Sequence, residues 1–397
     1  MTLAAAIKDE ARSLGFDLAR IIPMQQPRHA PEFTAWLAAG MQGEMRYLAE
    51  RAVLRRDPAG LAPGAQSIVV LAANYNPGPL PRGWDNPGHG RIARYAWSPD
   101  YHEVIKQRLY ALDAFIRGRT GRATPGKACV DTAPFLERDF AMQAGLGFAG
   151  KNTVLITPGL GSWTFLAALL VPELLDYDDP PQEVEAPRDA GAVALRWRLQ
   201  GADGTARIGT CGTCRRCLGA CPTAAFVGPY VLDSRRCISY LTIELRGPIP
   251  RDLRPLLGNW VFGCDVCQEV CPYNREAAQG AWPVLVPDPD RAAPPLLALL
   301  ALDEAAFRSR YRGTALLRTK RRGLVRNACV AAGNWGDPAA QPALVGRLAD
   351  AEPLVRGHAA WALGRLGGHA ARAALERAAA AETDAYVLDE IRAAVQC

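Results

Sequence analysis

Cys211-Gly-Thr-Cys214-Arg-Arg-Cys217-Leu-Gly-Ala-Cys221-Pro222 and Cys264-Asp-Val-Cys267-Gln-Glu-Val-Cys271-Pro272 are the two runs around which the chain is arranged. Eight of the eleven cysteines lie between Cys211 and Cys271, counting Cys237 between the runs. The first run has the spacing of a bacterial ferredoxin, in which three thiolates hold one iron–sulfur cluster and the fourth reaches across to a second. The second run is one cysteine short, and Cys237 can supply it. On that logic Cys211, Cys214, Cys217 and Cys271 hold one [4Fe–4S] cluster, and Cys221, Cys237, Cys264 and Cys267 hold the other. Zinc is the lesser alternative, because zinc ribbons supply two cysteines per knuckle rather than four close together ahead of a proline. Disulfides are poorer still in a long chain with other routes to a core.

Outward from these runs, the 397 residues allow two to three domains. A composition of 49% hydrophobic and 22% charged residues is that of a soluble globular protein. The net charge of +6 is modest, so its placement matters more. Ala305 to Gly336 carries eight Arg and Lys and no Asp or Glu, a strip suited to an acidic polymer such as nucleic acid. The N-terminus meets Lys8, Asp9 and Glu10 too early for a secretory signal. The longest apolar stretch, near Thr164 to Leu175, falls short of a membrane span. A cytoplasmic protein is expected.

Ahead of the cysteines, residues 3–20 place Leu3, Ile7, Leu14 and Leu18 at helical spacing. Ser67–Ala72 reads as a buried strand, and Asn74–Gly83 as a Pro/Gly loop. Pro99–Arg117 reads as a helix. Alternation continues through Lys127–Asp131, Glu137–Ala144, Thr153–Thr157 and Phe165–Val171, giving an α+β or α/β-like domain over 1–177. The Asp-Pro-rich stretch 178–206 reads as a linker or insertion, 207–282 as the cysteine module, and Pro283–Pro295 as a second boundary. In 296–397, Leu324-Val-Arg-Asn-Ala-Cys-Val-Ala-Ala-Gly can be laid on Leu354-Val-Arg-Gly-His-Ala-Ala-Trp-Ala-Leu, with a weaker copy near Tyr386. Such Ala-rich helix pairs resemble HEAT repeats.

Gly145-Leu-Gly-Phe-Ala-Gly150-Lys151-Asn152 mimics a nucleotide-binding loop, but follows a helix rather than a strand. Gly145 is better read as a helix C-cap. Asp131, at the end of an apolar segment, is either a carboxyl raised by burial or an N-cap. His102 is equally open between capping and chemistry. Cys129 and Cys329 read as buried apolar residues, and Cys397 has no metal-like spacing.

Arg94-Tyr95-Ala, Asp100-Tyr-His102, Asp131-Thr-Ala-Pro-Phe-Leu-Glu-Arg138, Ala144–Asn152 and Gly161-Ser-Trp163 appear in the order seen in epoxyqueuosine reductases. So do Gly247-Pro-Ile-Pro250, Gly263–Pro272 and, most specifically, Arg235-Arg-Cys-Ile-Ser-Tyr-Leu-Thr-Ile-Glu244. The chain resembles that family over nearly its whole length. The resemblance implies a cytoplasmic enzyme that uses cobalamin and two [4Fe–4S] clusters to complete queuosine synthesis. It would remove the epoxide oxygen of epoxyqueuosine at the wobble position of tRNA with a GUN anticodon.

The implied fold is an α+β corrinoid-binding domain, a two-cluster ferredoxin-like module and a HEAT-like tail. Asp131 falls on the family's proton donor, so a dry pocket that keeps it protonated is expected. Arg55, Arg94, Asp131 and Gln268 fall where corrinoid contacts are expected, and no Asp-x-His-x-x-Gly motif supplies a cobalt ligand. Arg318, Lys320, Arg321, Arg322 and Arg326 are the expected tRNA contacts, with the wobble base extruded toward cobalt. The resemblance leaves the electron donor unnamed, and nothing calls for an obligate oligomer, so a monomer is expected. The alternative is a small-molecule reductase similar to reductive dehalogenases, which would need no basic solenoid.

Overall fold

The computed structural model describes residues 1–184, 196–200 and 205–396. Its first part is built on a four-stranded antiparallel sheet in the order β1 (Leu18–Pro23), β2 (Ser67–Asn74), β4 (Thr164–Val171) and β3 (Lys127–Cys129). All eight residues of β2 are buried, because helices cover both faces. Val69 and Leu71 meet Ile7 of α1 (Leu3–Ser13) and Ile105, Leu109 and Leu112 of α2 (Tyr101–Thr120). Ile68 and Val70 meet Phe140 and Ala141 of α3 (Glu137–Gln143) on the other face. A strand sandwiched in this way reads as a continuous apolar run even in an antiparallel sheet. The fold is therefore α+β.

One expectation changes. The helix read over 3–20 stops at Ser13, and Leu18 onward is strand β1. Gly15 turns the chain at φ +100°, and a Cβ there would lie 2.3 Å from the Trp282 indole nitrogen. The stretch read as a linker or insertion carries strands where it is described. Gln182–Val184, Arg196–Gln200 and Ala206–Gly209 form a three-stranded antiparallel sheet. Its Leu199 packs with Phe148, Ile156 and Cys271. One apolar anchor among polar strand residues carries too weak an alternation to read. Residues 185–195 and 201–204 of that stretch, and Cys397, lie outside the described residues.

The cysteine module is made of short helices, among them Arg216–Ala220, Ile238–Ile243 and Val266–Glu269, and of the hairpin Phe226–Gly228/Val231–Leu232. A parallel pairing of Arg91–Ile92 with Trp260–Phe262 joins it to the first part of the chain. Behind it stand α4 (Lys320–Trp335), α5 (Pro353–Leu366), α6 (His369–Ala381) and α7 (Ala385–Val395). The two copies laid on each other in the sequence are α4 and α5. Small residues set their approach: a Cβ on Gly333 would come within 3.0 Å of the Ala362 backbone. One apolar core runs through Ile92, Trp97, Leu241, Trp260, Leu324, Leu363 and Ile391, so the cysteine module and the helices share it. Cys129 and Cys329 are fully buried, as read. Among the described residues no helix is long and apolar enough to cross a membrane.

Candidate active site

Cys211, Cys214, Cys217 and Cys271 ring a cavity of about 180 Å³, together with Lys151, Asn152 and Tyr273. These are the four residues assigned to one cluster by spacing. The other four also meet: burial, then the neighbouring Cys237, Asp265, Cys217 and Cys221, push up the thiol of Cys267. Burial and then Cys237 and Cys267 act on Cys264 in the same sense. The cysteines of both sets are unbridged. Among the described residues no three His, Cys, Asp or Glu side chains converge on a single-ion site. The first set instead surrounds a volume, as thiolates around a multi-iron cluster do, and a cluster's own charge overrides the upward thiol shifts.

Asp131 leaves the end of β3 in the left-handed region, at φ +49°. It does not cap α3, which begins after Leu136. Its carboxylate accepts from Tyr101 Oη and pairs with His102 Nε2, each at 3.0 Å on Oδ2. His102 Nδ1 lies 2.7 Å from Asp100 Oδ1, which completes an Asp–His–Asp chain. Tyr101 stacks on His102 at 4.0 Å and on Phe165 at 4.1 Å, fixing the imidazole plane. Burial alone would lower the His102 pKa, but hydrogen bonds and charge from Asp100 and Asp131 raise it to about 9. Burial would raise Asp131, but the hydrogen bond and charge of His102, with Tyr101, hold its carboxyl below the usual range.

As it stands here, Asp131 is neither dry nor held neutral, unlike the expectation. The side chain is 62% accessible, so the carboxylate faces open space beside Tyr101 and His102. At neutral pH the carboxyl is ionised and the nearby proton is on His102.

Arg94 lies between Trp163 and Trp97, its guanidinium carbon 4.8 and 5.8 Å from their centroids. Its Nη1 donates to Gly78 O at 3.3 Å, while Nε is buried without a partner. It borders a cavity of about 470 Å³ lined also by Asn76, Leu80, Trp163 and Arg275. Gln268 accepts from Ser162 Oγ at 2.9 Å, beside the second cysteine run. Arg55 is buried and donates to Tyr47 O and Leu48 O, bracing the short helix Arg46–Glu50.

The basic strip is not uniform. Arg326 is 0% exposed and donates to the carbonyls of Leu241, Leu245 and Gly247, so it cannot reach a phosphate. Arg321 is engaged by Asp350 through both terminal nitrogens. Arg318 pairs with Glu244 at 2.5 Å and lies 5.7 Å over the Tyr47 ring. Lys320 is exposed, and Arg322 makes only a loose 3.8 Å approach to Glu352.

A family model described as "Epoxyqueuosine reductase QueG, DUF1730" matches residues 55–132. A "4Fe-4S double cluster binding domain" matches 210–274, and HEAT repeats match 314–396. The epoxyqueuosine reductase of Pseudomonas aeruginosa is 40% identical over 370 residues, covering 92% of this chain and 95% of that protein. That of Escherichia coli is 36% identical over 365 residues, covering 91% and 89%. The chain belongs to the epoxyqueuosine reductase family.

A solved epoxyqueuosine reductase with an epoxyqueuosine-modified tRNA-Tyr stem loop superposes with a TM-score of 0.86 at 30% identity, over 99% of this chain and 98% of that one. A Bacillus subtilis epoxyqueuosine reductase whose catalytic aspartate loop is swung out of its active site gives 0.81 at 29% identity, with the same coverage. Membership in the reductase family and the matched cysteine module make this a [4Fe–4S]-binding enzyme.

In this family member, three side chains near the site have roles that the sequence did not reveal. Lys151 Nζ donates to Gly212 O at 2.7 Å and to Cys214 O at 3.0 Å, and Asn152 Nδ2 donates to Cys267 O at 3.2 Å. The loop that mimics a nucleotide motif therefore clamps both cysteine runs. Glu137 Oε1 is buried without a partner, and burial, then the charge of Asp131, push that carboxyl up to about 8. The order Asp131…Glu137 was visible in the sequence, but nothing in it said that the two would share one field.

Proposed function

We propose that the chain reduces epoxyqueuosine to queuosine in tRNA, with cobalamin held between two [4Fe–4S] clusters and the Asp131 hollow. The observation that carries the reading is the Asp100–His102–Asp131 chain, its carboxylate end accessible, in a protein whose cysteine module gathers one set of four thiols around a cavity. The cavity at Arg94 suits the amide- and phosphate-bearing edge of a corrinoid, since it offers guanidinium and amide donors and one unpartnered buried Nε. Arg94, Asn76 and the loop at Gly78–Leu80 would hold that edge, with Gln268 and Arg55 supporting the floor. Cobalamin, when bound, supplies a strongly reducing cobalt centre that draws single electrons from the clusters.

The rest falls to side chains. Loss of the epoxide oxygen as water consumes two electrons and two protons. Asp131 stands where it can hand a proton to the departing oxygen, but it must first receive one. His102 Nε2, 3.0 Å away and protonated up to about pH 9, is the donor that recharges it. The related enzyme with its aspartate loop swung out supports the idea that such a loop closes over substrate, which would exclude water and raise the carboxyl toward transfer. The wobble nucleoside enters past Tyr47 and Arg318, while Lys320 and Arg322 meet phosphates. The protein works as a cytoplasmic monomer supplied by a separate electron donor.

The test is anaerobic incubation of the cobalamin-loaded protein with dithionite and an epoxyqueuosine-containing stem loop, followed by nucleoside mass spectrometry. Queuosine is the expected product. Unchanged epoxyqueuosine from protein with full iron and cobalamin content would overturn the reading.

A further inference from the structure

The cysteine module carries an exposed apolar patch that the reaction above does not use. The hairpin Phe226–Gly228/Val231–Leu232 exposes Val227 (58%), Tyr230 (42%) and Val231 (39%). One exposed apolar side chain needs no explanation, but three on one tight hairpin do. The hairpin abuts both cysteine sets. Tyr230 N donates to Lys151 O at 3.0 Å, and Lys151 Nζ holds the carbonyl of Cys214. At its other end Ala225 N donates to Cys221 Sγ at 3.4 Å.

The surroundings are basic. From Thr205 to Cys237 the sequence has Arg207, Arg215, Arg216, Arg235 and Arg236 against a single acid, Asp233. Asp233 is spent on Arg235, which it holds through both oxygens. Arg215 and Arg216 are exposed and have no acidic partner among the described residues. A small apolar centre with a positive rim, against half-buried redox ligands, is the form of a transient electron-transfer interface.

We propose that this face docks an acidic one-electron carrier protein, which feeds the clusters there. This rests on the reductase reading, since that reaction must be supplied with two electrons. Each docking oxidises the carrier by one electron and reduces a cluster by one. No bond forms, and two dockings serve one epoxide. RNA is the less favoured occupant. Tyr230 is the patch's single stacking ring, between Val227 and Val231 that give bases nothing to stack on, and Arg318, whose charge reaches Asp131, lies on the substrate side.

The experiment uses the holoenzyme and two reductants, a photoreduced bacterial flavodoxin and dithionite. Val227→Asp and Arg215→Glu are compared with the parent, after iron content shows that the clusters have assembled. With flavodoxin, cluster bleaching followed at the visible band is expected to slow by about tenfold and to lose salt dependence, the scale of lost electrostatic steering. With dithionite, bleaching should stay unchanged, as should affinity for the stem loop. The proposal is overturned by equal slowing with both reductants, by unchanged bleaching with flavodoxin, or by lost RNA affinity. If dithionite bleaches the clusters of the parent protein but yields no queuosine, it is the reductase reading that fails. Flavodoxin bleaching still decides the docking site.

Discussion

A carboxylate held ionised by its neighbours is a poor acid, and that constraint fixes what His102 must do. Tyr101 and His102 stabilise the charge on Asp131, so its proton has to be replaced from a group that still carries one at neutral pH. His102 is faced by Asp100, Asp131 and the Tyr101 ring, and its pKa of about 9 stands above the ordinary 6.5. A raised cationic pKa contributes stability fully below about 6.5 and loses it as pH rises through about 9. The rate should follow the same proton. We predict that kcat falls as pH passes about 9. His102→Gln, which can hydrogen-bond but not ionise, should lower kcat by roughly 10²-fold and erase that alkaline limb. Asp131→Asn should cost roughly 10²–10⁴ in kcat with little change in KM. A profile whose alkaline limb survives in His102→Gln would show that the imidazole only positions Asp131.

At the scale of elements, α4 is held to the cysteine module by polar groups rather than by apolar packing alone. Arg326 meets the carbonyls of Leu241, Leu245 and Gly247, and Asn327 Nδ2 meets those of Thr242 and Val261. The helix Ile238–Ile243 thereby anchored begins one residue after Cys237. Arg326→Met would leave three carbonyls unmet, at about 1–3 kcal/mol for each buried group. We expect a Tm lowered by several degrees and easier loss of iron, with the salt dependence of tRNA binding unchanged. A stable variant with weakened RNA binding would return Arg326 to the substrate surface.

The same elements show what the sequence could carry. The iron–sulfur module was legible because the spacing of its cysteines is local. The repeat was legible because Leu324 and Leu354 begin matching segments. The turn at Gly15 was not, since Leu14 and Leu18 continue a helical period across it. Nor was the inward direction of Arg326, because a basic run states charge but not facing. The pairing of His102 with Asp131 joins residues 29 apart, one in the first turn of α2 and one just past β3, and no local pattern encodes it.

Across the whole molecule, the shared core places the repeats against the cysteine module, so that a tRNA lying on one approaches chemistry fed by the other. Charge along that route is less than the sequence suggests. Arg326 is interior, Arg321 is neutralised by Asp350, and Arg318 is paired with Glu244 while it borders the hollow. Of the five residues expected to meet tRNA, Lys320 and Arg322 are left for an RNA backbone, Arg322 only loosely held by Glu352, with the exposed Arg310 and Arg312 further along the strip. Each phosphate contact releases condensed counterions, so affinity falls with salt at a slope set by the number of contacts. Lys320→Glu with Arg322→Glu should weaken stem-loop binding at low salt and flatten that slope by about 2, one for each contact. Binding should become nearly independent of these substitutions at high salt, where screening has already removed the term. Arg321→Glu is the control that separates charge from fold. It breaks the Asp350 pair, so it should lower Tm and leave the slope of the surviving folded protein close to the parent's. If the double variant keeps the parental slope over the whole titration, the phosphates are met elsewhere. The exposed Arg46, Arg51 and Arg56 around Tyr47 then become the surface to reverse next.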